Sequence, residues 1–250
     1  MRRRFPRVTA IASARAAVLD IEHIETVADG DGLDLNLYRP PEATEGGLRF
    51  KIYHRGGPLA LSDVLPVVEN MGLKVIDEFP FRLIVGDDQP EVWIHDFGVV
   101  DRSGLEINVG ETKQRFQSAF EQIWRGDVEN DGFNMLITRA GLAWRQVVVL
   151  RAYAKYLRQA QSPFSQAYMG TTLAANPEIA RHLVEVFEQR FDPAIAAEDR
   201  NEDAVAMVTR ALEMAASLDE DQIIRRFLNA MQATLRTNFC QPDESGAPHS

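Results

Sequence analysis

The chain has 250 residues, 45% of them hydrophobic and 26% charged, a globular balance that excludes disorder over most of its length. Its formal net charge of −10 excludes nucleic acid as the main partner, because phosphate binding needs clustered cations. A single cysteine, Cys240, excludes an internal disulfide framework and points to a reducing cytoplasm.

The opening Met1-Arg2-Arg3-Arg4-Phe5 and the later Ala12-Ser13-Ala14 have two parts of an export signal. Pro6-Arg7 breaks the stretch between them, leaving less than the roughly 7–15 apolar residues such a signal needs. No run reaches the roughly 18–20 apolar residues of a membrane span. Ile11, Val18, Ile21 and Ile24 share one helical face, and Asp29-Gly30-Asp31-Gly32 stops that helix. Residues 1–30 therefore read as an N-terminal helix and its lead-in.

Leu33, Leu35 and Leu37 alternate with polar residues, as do Leu48, Phe50 and Ile52. This predicts two strands in a hairpin with a long connection. Arg55-Gly56-Gly57-Pro58 is a turn, followed by a helix with Ser62 as its N-cap, Pro66 in its first turn, and Val64, Leu65, Val68 and Met71 as its stripe. Gly72 ends that helix. A strand follows from Leu73 towards Val85, then a turn at Gly86-Asp87-Asp88 and a mostly apolar, central strand from Val92 to Val99.

Beyond Gly110 the pattern is helical. Phe116, Phe120, Ile123 and Trp124 share a face, and 142–160 is a long helix with Val149, Tyr153 and Leu157 aligned. Asn176-Pro177 reads as an N-cap with proline at the first helical position. Val205, Val208 and Leu212 carry the next helix. Asp219 and Gln222 resemble a capping box before Ile224, Phe227, Leu228, Met231 and Leu235. The fold class predicted is α+β: an antiparallel sheet with helices over 31–110, a helical domain over 111–240, and a frayed tail over 241–250.

Catalytic signals are weak. No strand is followed by a Gly-x-Gly-x-x-Gly, and there is no phosphate loop, so no cofactor is expected in this segment. His182 and Glu185 stand at metal-ligand spacing, but a solvated helix face explains them as well. His95-Asp96 reads as a structural histidine at the sheet edge, and Asp87-Asp88 with Glu91 as a solvated acidic loop. The aromatic spacings Phe116/Phe120/Trp124 and Tyr153/Tyr156 read as core. The feature with most content is the glycine turn. In the order strand, turn, helix, Gly72, strand, strand, helix, the region resembles ACT domains, which bind amino acids at such a turn. The ligand-binding residues this implies are Gly56, Gly57, Leu61 and Ser62, where backbone amides and a helix N-terminus would favour a carboxylate. A mere connection between packed elements is the competing reading.

Several stretches carry a wider resemblance: Lys51-Ile52-Tyr53-His54-Arg55-Gly56, Glu69-Asn70-Met71-Gly72-Leu73-Lys74-Val75, Trp93-Ile94-His95-Asp96-Phe97, the helix around Leu150 to Gln159, and Arg236-Thr237-Asn238-Phe239. Together they resemble the large NAD-specific glutamate dehydrogenases of bacteria, in a segment upstream of the catalytic domain. The resemblance implies NAD-linked oxidative deamination of L-glutamate to 2-oxoglutarate and ammonia by the parent. It implies as partners the downstream catalytic domain of the same polypeptide, further copies in a homo-oligomer, and an amino-acid effector, with no nucleic acid and no membrane. The lysines here lack the glycine-rich context of that family's active site, so no catalytic residue carries over. A structural and regulatory segment is expected, with an amino-acid sensor and an autonomous enzyme as the competing hypotheses.

Overall fold

The alternating stretches at 33–38 and 48–55 become β1 (Leu33–Tyr38) and β2 (Leu48–Arg55), antiparallel with Leu35 opposite Ile52. The computed structural model describes residues 14–30, 32–41, 47–84, 91–195, 203–213 and 217–241. The expectations at Ile11, at 85–88 and in most of the tail lie outside them. A helix, α2 (Leu61–Asn70), leads from β2 to β3 (Leu73–Leu83). The apolar strand β4 (Val92–Asp101) inserts between β2 and β3, so the order is β1-β2-β4-β3 and β4 is central, as its composition predicts. Because β2 and β3 are each antiparallel to β4, they run parallel to one another and need the helical crossover between them. This is the α+β sandwich expected from the element order.

One sheet face is the core. Leu35, Leu37, Phe50, Ile52, Phe97 and Val99 are buried there beneath Val64 and Val68 of α2 and Phe116 and Phe120 of α3 (Val109–Arg125). Phe116 and Phe120 meet the ring of Phe50 edge-on at 5.1 and 5.0 Å. Each such pair contributes about 0.5–1.5 kcal/mol beyond the area it buries. An outer strand such as β1 presents unpaired backbone groups. Gln117 of α3 answers two of them: its Oε1 accepts the Leu37 N–H at 3.1 Å and its Nε2 donates to the Leu35 carbonyl at 2.7 Å.

The other face is partly covered by α1 (Ala14–Asp29). Val27 and Ile24 pack with Tyr53, Val92 and Ile94, but Ile21 is 53% exposed. Polar ties complete the docking. Lys51 donates to both oxygens of Asp20 at 2.8 and 2.7 Å, and the Tyr53 hydroxyl donates to Asp20 at 2.5 Å. His23 stacks on Tyr53 at 4.7 Å and meets Asp34 at 2.6 Å.

The helical half comprises α4 (Met135–Arg139), entered through a 3-10 turn at Gly132–Asn134, then α5 (Trp144–Gln159), α6 (Gln166–Ala175), α7 (Pro177–Phe191), α8 (Asp203–Leu212) and α9 (Leu218–Ala233). One hydrophobic core runs without a break from Leu35 on the sheet to Met231 in α9. Polar joints reinforce it. Asp101 at the end of β4 takes Arg139 of α4 at 3.0 Å, with the carboxylate almost fully buried. Thr138 donates to the Met71 carbonyl at 2.8 Å. Beside that joint Gly72 has φ +88°, and a Cβ there would lie 2.8 Å from Thr138 Oγ1. Arg151, 3% exposed, grips Asp131 through Nε at 3.0 Å and Nη2 at 2.9 Å, and also reaches Asn134 at 2.6 Å.

Several local expectations need correction. Helix α2 begins at Leu61 with Ala60 as N-cap, and Ser62 Oγ meets Asp63 instead of capping. Pro66 therefore falls in the second turn. It is tolerated because Ser62, whose carbonyl loses its helical donor, lies with Pro66 on the exposed side. Asn176 does stand at the N-cap of α7 before Pro177, with its carbonyl accepting the Ala180 N–H at 3.0 Å, but its side-chain amide turns back to the Thr172 carbonyl of α6 at 3.0 Å instead of capping. Ser217, which accepts from Glu220 N, caps α9 in place of Asp219. Leu235 falls beyond α9 and is 86% exposed. The sequence pattern does not predict helices α4 and α6. The first is five residues long, and the buried face of α6 includes Gly170 and Thr172 as well as Met169 and Leu173, which carries no apolar period.

Candidate functional site

The connection from β2 to α2 places Gly56, Gly57, Leu61 and Ser62 along one surface turn. Gly56 has φ +106° and donates its N–H to the Glu91 carbonyl at 2.9 Å. That backbone conformation is the reason for glycine here. A Cβ on Gly56 or Gly57 would meet nothing within 4 Å, so the turn's outer side is open. Gly57 and Ser62 are exposed and Leu61 is 42% exposed.

Under the turn lies His95, which sequence reasoning treats as an edge residue. It sits in central β4 and is 2% exposed. The backbone N–H of Leu59 donates to its Nε2 at 3.1 Å, and its Nδ1 is 2.7 Å from Glu78 Oε1 on β3. A backbone N–H can only donate, so Nε2 is the acceptor and Nδ1 carries the proton given to Glu78. The pair pins the turn to the middle of the sheet. It also consumes the Leu59 amide, which is then not available to a ligand. Ser62 and Asp63 stand at the helix start, and the Asp63 carboxylate already occupies the position that the helix dipole favours for an anion. The Gly56 N–H is likewise taken by the Glu91 carbonyl, so of the four residues Gly56 offers only open space beside it, and Gly57, Leu61 and Ser62 remain exposed.

Other candidates resolve into structural pairs. His182 meets Glu185 at 2.8 Å on α7, and among the described residues no group of three His, Cys, Asp or Glu comes together to hold a metal. Burial, followed by the Asp192 carboxylate, pushes the Cys240 thiol up, away from the thiolate a nucleophile needs. Tyr153 and Tyr156 are not both core. Tyr153 is half-buried against Phe187, whereas Tyr156 is 57% exposed. Both line a cleft of about 340 Å³ between α5, α7 and the segment after α9, which also includes Arg236 and Phe239. Sequence patterning gives no sign of this cleft, because its walls come from residues some eighty positions apart, as the Tyr153–Thr234 contact at 2.9 Å shows.

Comparison with known proteins divides the chain into three stretches. Residues 32–112 match the family model of the glutamate dehydrogenase ACT3 domain, and residues 128–193 that of glutamate dehydrogenase helical motif 3. Residues 207–250 match the catalytic domain of bacterial NAD-glutamate dehydrogenase, so the helical run 111–240 is shared between two family models. An NAD-specific glutamate dehydrogenase of Halomonas elongata is 45% identical over 94% of the chain. Counterparts from Pseudomonas aeruginosa and Mycobacterium tuberculosis are each 42% identical, over 92% and 79% of it. The chain spans 14% of the length of the first two of these relatives and 13% of the third.

Proposed function

Since the chain belongs to the family of bacterial NAD-specific glutamate dehydrogenases, we propose that it is a non-catalytic structural and regulatory segment of such an enzyme. The parent would deaminate L-glutamate oxidatively to 2-oxoglutarate and ammonia with NAD, in the cytoplasm and as a homo-oligomer. The observation that carries the reading is the single core running from the sheet through α9. Residues matching the ACT3 domain, the helical motif and the beginning of the described catalytic-domain match are packed as one body. Packed cores transmit displacement because they resist continuous deformation. A perturbation at the turn would thus be felt at α9.

The buried charges fit this role. Lys51, His95, Asp101 and Arg151 are each spent on a partner that joins two elements. The test is incubation of the purified chain with glutamate and NAD beside the full-length enzyme. NADH should form only with the latter, and turnover by the chain alone would sink the proposal.

A second reading, an amino-acid effector held at Gly56, Gly57, Leu61 and Ser62, is favoured by the open outer side of that turn. Regulation would require that the ligand bind two conformations of the parent unequally. Calorimetry of the chain with a panel of amino acids decides it: heat that Gly57→Val abolishes supports the site, and no heat at millimolar ligand removes it.

A further inference from the structure

The cleft at the end of α9 has two walls of different family origin. Its floor, on α5 and α7, lies in the helical-motif match, and its outer wall, Thr234 with Arg236 to Phe239, lies in the catalytic-domain match. An interface already joins these stretches, for Ile224, Phe227 and Met231 of α9 are fully buried in the common core. The cleft continues that interface to the surface.

Its outer wall is fastened at both ends. Arg190 donates to the Thr234 carbonyl at 3.2 Å, and Tyr153 shares a hydrogen bond with the Thr234 hydroxyl at 2.9 Å. Arg145 donates to the Phe239 carbonyl at 3.1 Å and lies over its ring at 4.8 Å, while Phe187 meets the same ring at 5.4 Å. Facing this wall across the cleft, Tyr156 of α5 is 57% exposed, Ala152 is exposed and Val148 is partly so. Apolar side chains held outward on an anchored backbone are what an unfilled interface looks like. Arg236, also exposed, adds a positive rim.

We propose that this cleft is the seat on which the rest of the catalytic domain of the same polypeptide docks. That domain would insert an apolar side chain against Tyr156 and Ala152 and set an acidic group against Arg236. The proposal rests on the reading that the chain is part of such an enzyme. It fixes where the regulatory half meets the catalytic half: the fastened segment would carry any movement of α5 and α7 directly into the catalytic domain.

Hydrogen exchange compares the chain alone with the chain extended through its catalytic domain. Amides in the last two turns of α5 and in 235–239 should exchange at least about tenfold more slowly in the extended protein. Arg236→Glu should leave the melting temperature of the chain unchanged, since the side chain is exposed there. In the extended protein it should lower the melting temperature by several degrees and restore fast exchange. Equal exchange in the two proteins would overturn the proposal. So would protection that appears in the chain alone and rises with its concentration, because the occupant would then be a second copy. NADH formation and amino-acid calorimetry are read separately. If they fail while the protection stands, only the functional reading is lost.

Discussion

Gly98 in β4 lies directly against the carboxylate of Asp77 on β3: its N–H donates to Asp77 Oδ1 at 3.2 Å, and a Cβ added to it would come within 2.5 Å of the same oxygen. Arg49 reaches that oxygen from β2 at 2.7 Å and takes Asp96 at 2.8 Å, so three strands are laced across one face. Asp77 is brought there by the irregularity after Val75, which leaves Ile76 outside the register and 58% exposed.

Gly98→Ala should therefore cost about 2 kcal/mol, by pushing Asp77 away from Arg49 and straining the centre of the sheet. Urea unfolding checks it: the midpoint should fall with the slope unchanged. Gly57→Ala, where the added Cβ meets nothing, is the control and should be near neutral.

Replacing His95 with Phe keeps the ring but leaves the Leu59 N–H and the Glu78 carboxylate without their partner. The expected loss is about 2 kcal/mol, concentrated at the turn, because a stranded buried donor keeps its full desolvation cost. Nitrogen NMR of the native protein should show the proton on Nδ1. A proton on Nε2 would rule out the Leu59 contact.

Arg151 is the corresponding anchor of the helical half. Its removal leaves Asp131 and Asn134 facing a buried gap, and Arg151→Leu should cost about 3 kcal/mol. Arg151→Lys should recover only part of it, since one ammonium group cannot reproduce the fork on Asp131. Comparing the melting curves of the two variants tests both statements.

Stability should fall at both ends of the pH scale through α1 and the strands beside it. Burial, then the Asp20 carboxylate, drives the Tyr53 phenol far above its ordinary range, and burial with Asp96 nearby pushes Tyr38 up to about 12. The folded state keeps these protons where the unfolded chain releases them, so stability falls as pH rises above about 10. Burial works to raise Asp34, but the His23 hydrogen bond, the Leu35 amide and the charges of His23 and Lys113 outweigh it and hold the carboxyl below its usual range. That contribution is present above the ordinary carboxylate range and is lost as pH falls through it, below about 4. Tyr53→Phe should flatten the alkaline limb and leave the acid limb in place, read from denaturation midpoints across pH.

Much of the sheet half is legible from the chain alone. Period-two alternation in 33–38 and 48–52, glycines at 56 and 72, and an apolar run at 92–99 each report a local requirement of backbone or burial. The same holds for Phe116, Phe120 and Ile123, whose spacing records a buried helical face. Local signals misplace caps, as at Ser62 and Asp219, because several polar residues near a helix start can each accept or donate, and neighbouring turns decide which does.

Relations between distant residues were decided only when the chain closed on itself. No spacing rule connects His95 to Leu59, Gln117 to the edge of β1, or Arg145 to the Phe239 carbonyl, since a hydrogen bond depends on separation in space. Nor does patterning distinguish Tyr156 from Tyr153: both sit on one amphipathic helix, and which is covered depends on what α7 and the segment after α9 bring to it. The sequence by itself determined which segments would bury a face. Tertiary packing determined which faces stayed open, because exposure belongs to the assembled surface and not to any one stretch of residues.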